Sequence, residues 1–121
     1  MSYDPNNVFA KILRGEIPCD KVFENAHALA FNDIRPQAPV HVLIIPKGAY
    51  VSSSDFSAKA SAEELLGFMR AIPAVAEKTG VLESGYRLIA NTGANGLQEV
   101  AHFHIHLLGG RPLGPMLTRP R

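Results

Sequence analysis

Apolar and polar residues change rhythm several times along this chain, and each rhythm predicts an element. Near the start, Val8, Phe9, Ile12 and Leu13 fall on one stripe at helical spacing. Asn6 or Asn7 can cap that helix, and Gly15 can end it. Lys21–Glu24 and Ala28–Asn32 read as two short strands around an Asn25-Ala26-His27 turn, with His27 at an exposed tip. Asp33-Ile34-Arg35-Pro36 must turn the chain, because proline disfavours helix before it and brings no N–H to a ladder. Val40–Ile45 is apolar on both faces, as a central strand covered on each side should be, and Pro46-Lys47-Gly48 stops it.

Ser52-Ser53-Ser54 reads as a surface loop. Ser61-Ala62-Glu63-Glu64 is a capping box that opens a helix reaching about Lys78, with Leu65, Phe68, Met69, Ile72 and Val75 on its apolar stripe. Pro73 interrupts that stripe and predicts a kink or a break. Tyr86–Asn91 and Val100–Leu108 pair most economically as an antiparallel hairpin. Their connection, Thr92–Glu99, is longer than an ordinary hairpin loop, a length often associated with function. Residues 1–6 are expected to be loose, and the tail 111–121, with Pro112, Pro115 and Pro120, to be extended. The sum is an α+β fold: an antiparallel sheet of about five strands with two helices against it.

Composition narrows the function classes. A chain of 121 residues is most simply one domain, 1–121. Its hydrophobic share of 46% and mean hydropathy of +0.03 are those of an ordinary water-soluble globule. A net charge of +1 leaves no electrostatic footprint for a nucleic acid polymer or an anionic membrane. No apolar run approaches the ~20 residues of a membrane span. Cys19 is the only cysteine, so an intramolecular disulfide is impossible; with no secretory leader pattern, the cytoplasm is the expected compartment.

The chemistry concentrates in one ribbon, His102-Phe103-His104-Ile105-His106-Leu107-Leu108, which holds three of the five histidines. Side chains alternate along an extended chain, so the three imidazoles share one face, ~6.8 Å apart, while Phe103, Ile105 and Leu107 point into a core. Three readings of the row stand. Imidazoles bind zinc, although three ligands spread over ~14 Å of straight strand cannot converge without a bend. A hydrogen-bonded structural ladder is the second. The third is covalent catalysis, because an imidazole nitrogen attacks phosphorus at neutral pH with no prior deprotonation. The loop before the row favours phosphorus: Gly93 and Gly96 permit the backbone of an anion nest, and a hairpin brings Asn91 beside it. Asp33 can make an Asx-turn or accept both hydroxyls of a ribose. His41 can be a core histidine or can orient a catalytic neighbour.

The ribbon resembles the signature of the histidine triad (HIT) family, His-φ-His-φ-His-φ-φ with φ apolar, at every position from His102 to Leu108. The resemblance runs over roughly residues 5–118. It includes Val8–Ile12, Arg14–Pro18, Phe31–Pro39, Gln98–Val100 and the segment Gly109–Leu117, which is similar to bacterial members of the HINT branch. That resemblance implies hydrolysis of purine nucleoside 5′-monophosphoramidates, of the AMP-NH₂ or AMP-lysine type. His104 would be the nucleophile of a covalent nucleotidyl-histidine, His106 would bond a phosphate oxygen, and His102 would help fix the His104 ring. His41 would stand behind them. Asn91 and the backbone of Leu97, Gln98 and Glu99 would surround the phosphate, Asp33 would take the ribose, and Val8, Phe9, Ile12, Phe31, Ile34 and Leu43 would sandwich the base. It further implies no metal or other cofactor, and a homodimer whose sheet continues from one subunit into the next. Animal members carry a serine where this chain has Glu99, so the proton donor to the departing amine does not transfer; nor does their C-terminal tryptophan. The alternatives are cleavage of dinucleoside polyphosphates, or a nucleotide-binding, protein-interaction dimer in which hydrolysis is incidental.

Overall fold

A computed structural model describes residues 2–118. Five strands, β1 (Lys21–Glu24), β2 (Ala28–Asn32), β3 (Val40–Pro46), β4 (Tyr86–Ile89) and β5 (Ile105–Gly109), form one antiparallel sheet in the order β1-β2-β3-β5-β4. Three helices accompany it: α1 (Val8–Leu13), α2 (Ser53–Lys59) and α3 (Ala62–Lys78). No helix among the described residues is long and apolar enough to cross a membrane.

The central strands are apolar on both faces because each face meets its own core. Ala28, Ala30, Val42 and Ile44 pack with Phe68, Ile72 and Val75 of α3 and with Phe103 and Leu107. Leu29, Phe31, Leu43 and Ile45 pack on the other side with Phe9 of α1. In register, Leu43 of β3 stands opposite His106 of β5, so the α1 side is also the histidine side.

Several expectations change. Among the described residues the helices number three, not two: Ser52 is the N-cap of α2, its hydroxyl accepting from the Asp55 N–H, so the serine stretch starts a helix. The last strand begins at Ile105, not Val100, and β4 ends at Ile89. Residues 100–104 approach it irregularly, with the Phe103 N–H donating to the Tyr50 carbonyl instead of a ladder partner. The alternation of faces nonetheless persists through them, since Phe103 joins the α3 core while His102 and His104 meet Phe9.

Pro73 does not break α3, which runs on through it. It sits on the exposed side of the helix, where water can satisfy the carbonyl one turn back. His27 is half-buried rather than free at a tip, packed against Gly67, where an added methyl would meet its ring at 2.8 Å. Tyr3, in the segment expected to be loose, is tied to His102. In the tail, residues 111–118 form no regular element, and Arg87 donates to the Gly114 and Pro115 carbonyls. Met1 and residues 119–121, with Pro120, lie outside the described residues.

Candidate active site

Hydrogen bonds assign a tautomer to each histidine of the row. The His104 Nδ1 lies 2.8 Å from the His102 carbonyl, which can only accept, so Nδ1 carries the proton and Nε2 keeps a free lone pair. His102 itself is fully buried. Its Nε2–H donates to the Pro46 carbonyl at 2.8 Å, and its Nδ1 accepts from the Tyr3 hydroxyl at 2.6 Å. The part of His102 that fixes the His104 ring is therefore its main-chain carbonyl; its side chain anchors that carbonyl.

A second chain of donors runs through His41. The Gln37 N–H donates to His41 Nδ1 at 3.1 Å, which leaves the proton on Nε2. That proton points to His106 Nδ1 at 2.9 Å, so His106 presents Nε2–H as a donor. Asp33 stands 3.4 Å from the same His41 nitrogen, and its other oxygen accepts the Arg35 N–H at 2.8 Å in an Asx-turn.

Burial disfavours the charged imidazolium throughout the row. Desolvation lowers His102 and His104 below the usual histidine value, in His104 against the nearby Asp33 and Glu99 carboxylates. His106 is lowered to about 4, by burial first and then by His104 and His41. The row is neutral at pH 7, and a neutral His104 is the nucleophilic form.

His104 and His106 border a cleft of about 490 Å³, within the range of small-molecule sites. Phe9 and Leu43 supply apolar wall, Asp33 and Glu99 carboxylates, and Asn91 an amide. Leu97 lines the rim with φ 58, the left-handed region that non-glycine residues rarely occupy. Gln98 does not line the cleft. Its side chain staples the loop, accepting the Gly93 N–H and donating to the Val51 and Val100 carbonyls. Among the described residues, a larger cleft, about 540 Å³ between Thr79 and Leu113, is lined by no histidine or carboxylate, and its two arginines already donate to main-chain carbonyls.

The structure thus gathers Phe9, Asp33, Leu43, Asn91, Leu97, Glu99, His104 and His106 around one space. Phe31 lies behind Phe9, ring centroids 5.7 Å apart, and Ile12 packs at the edge of that core. Val8 is partly exposed and Ile34 almost wholly so, and neither lines the cleft. Arg35, Gln37 and Val100 do line it and escape the sequence reading. Only the two-residue spacing of Arg35 from Asp33 in one turn could have pointed to it.

The donor atoms of Asp33, His41 and His106 lie within 4.8 Å of one another, close enough to consider a metal. Their bonding does not fit one. His41 Nδ1 already accepts a peptide N–H, so a cation at Nε2 would leave that imidazole without either proton.

A HIT domain model matches residues 14–113, and the chain belongs to the HIT family. It is 60% identical over 118 residues to a 13.2 kDa HIT-like protein of Azospirillum brasilense, covering 98% of this chain and 97% of that one. It is 53% identical over 112 residues to the purine nucleoside phosphoramidase of Escherichia coli (strain K12), covering 92% of each. Among solved structures, a HIT family hydrolase from Clostridium thermocellum superposes with a TM-score of 0.85 at 42% identity, over 93% of this chain and 97% of that one.

Proposed function

We propose that this protein hydrolyses purine nucleoside 5′-monophosphoramidates through a covalent nucleotidyl-histidine at His104. The observation that carries the proposal is the free Nε2 lone pair of a neutral imidazole bordering a nucleotide-sized cleft, its ring held by the His102 carbonyl. Nε2 attacks phosphorus and the P–N bond breaks, its electron pair leaving with the amine nitrogen, which takes a proton from solvent. Water then attacks the same phosphorus, gives a proton back to solvent, breaks the N–P bond to His104 and releases the nucleoside monophosphate. The His106 Nε2–H, backed by His41, donates to a non-bridging oxygen as charge gathers there. Asp33 takes the ribose hydroxyls, Phe9 and Leu43 hold the base, and Asn91 with the backbone of residues 97–99 faces the phosphate. Glu99, a carboxylate beside the departing group, favours cationic amines.

The similarity to the E. coli phosphoramidase supports this substrate class over dinucleoside polyphosphates. The working unit is a homodimer with the sheet extended through β4, in the cytoplasm.

The test is mass spectrometry of protein quenched during turnover of AMP-morpholidate. A nucleotidyl adduct should map to His104, and His104→Ala should lose about a thousandfold or more in turnover while AMP still binds. An adduct elsewhere, or an active His104→Ala protein, overturns the assignment. Faster cleavage of diadenosine triphosphate than of AMP-morpholidate would overturn the substrate class instead.

A further inference from the structure

A phosphate that reaches His104 enters a cleft whose fixed charges work against it. Asp33 and Glu99 both border the space, and their carboxylates are close enough to His104 to pull its titration upward. The histidines there are neutral by burial and offer no compensating charge. Among the described residues one permanent cation, Arg35, lines the same space, and no lysine or second arginine joins it.

Arg35 is placed and unengaged. Its N–H is bonded to Asp33 Oδ1, and Pro36 after it restricts its backbone to extended conformations, so the stem leaves the turn in a set direction. Among the described residues its guanidinium makes no hydrogen bond and no ion pair, unlike Arg14, Arg87 and Arg111, whose guanidinium groups all donate to protein oxygens; Arg70, equally unbonded, lies on α3 and does not line the cleft. It is also exposed, so a ligand can meet it without first breaking a bond.

We infer that Arg35 is the charged anion-binding residue of this cleft, pairing with a non-bridging oxygen of the α-phosphate beside the neutral donors and so selecting nucleotides over nucleosides. The inference rests on the proposed nucleotide site but not on the chemistry of His104. Two carboxylates and no cation would repel a phosphate monoester; with Arg35 the fixed charge carried by the described lining residues goes from −2 to −1, and a guanidinium offers the fork geometry that phosphate oxygens accept.

The experiment compares AMP with adenosine, which shares the base and ribose but lacks the charge. Both are titrated into the full chain, followed by NMR signals of the cleft histidines, which reach millimolar dissociation constants. Arg35→Gln should weaken AMP at least about tenfold and leave adenosine within about twofold, and Arg35→Lys should recover part of the AMP affinity. Equal weakening of both ligands would show that the arginine merely shapes the loop. Unchanged AMP affinity would show that the guanidinium does not reach the phosphate. Either result overturns the inference. A failed His104 adduct with the AMP–adenosine difference intact would instead count only against the proposed chemistry.

Discussion

At the scale of single residues, the site is a set of proton assignments. The Nε2 of His104 is free because the other nitrogen is committed to the His102 carbonyl, and that carbonyl is held by a ring fastened at both ends. Tyr3 makes one of the two fastenings. Tyr3→Phe keeps the edge-to-face ring contact with His102 and deletes only the hydroxyl. We expect kcat to fall about five- to tenfold with KM within about twofold, the size of one net hydrogen bond. The ¹⁵N signal of His102 Nδ1 should shift as well. A raised KM at unchanged kcat would place Tyr3 outside this chain of support. That His104, His106, Asp33 and Asn91 share one space was legible in the sequence, from the spacing of the histidines, the expected hairpin and the family resemblance. Tyr3 was not, since its bond spans 99 positions, and an exposed arginine in a turn, such as Arg35, has no periodicity to betray it.

Elements were legible where a stripe or an alternation was strong. The capping box at Ser61, the two-faced strand β3, and the cap of α1 with Phe9, Ile12 and Leu13 of its stripe all stand where the pattern puts them; Val8 turns out exposed. Helix α2 was missed because its seven residues bury only Phe56, too little for a stripe. The start of β5 was misplaced for a different reason: residues 102–104 keep the alternation of faces without the ladder, so side-chain parity overstates hydrogen-bonded length. Strand β4 has β5 on one side and no strand among the described residues on the other, with Leu88 and Ile89 exposed. If the homodimer forms there, Leu88→Lys should convert a dimer into a folded monomer in sedimentation equilibrium, because a charge on an edge strand opposes pairing. A wild-type chain that sediments as a monomer at micromolar concentration would end the proposed assembly.

Over the whole molecule, the row of buried neutral imidazoles ties stability to pH. Unfolded histidines take up protons near pH 6.5, whereas His102, His104 and His106 do so lower, His106 only at about 4. Between those values the unfolded chain binds more protons, so stability rises with pH. The contribution is complete above about pH 6.5 and is lost as pH falls toward 4. Thermal melts should show Tm level near neutrality and declining below about pH 6.5, and His106→Asn should flatten part of that decline. An unchanged slope would locate the acid sensitivity elsewhere. The two-sided sheet has a separate consequence for anyone redesigning this chain. Positions 28, 30, 42, 44, 103, 105 and 107 belong to the α3 core, while 29, 31, 43 and 45, with His102, His104 and His106, belong to the opposite side. Along one strand, then, neighbouring codons serve different masters. A library meant to harden the protein can vary every other residue and leave untouched each side chain that borders the cleft.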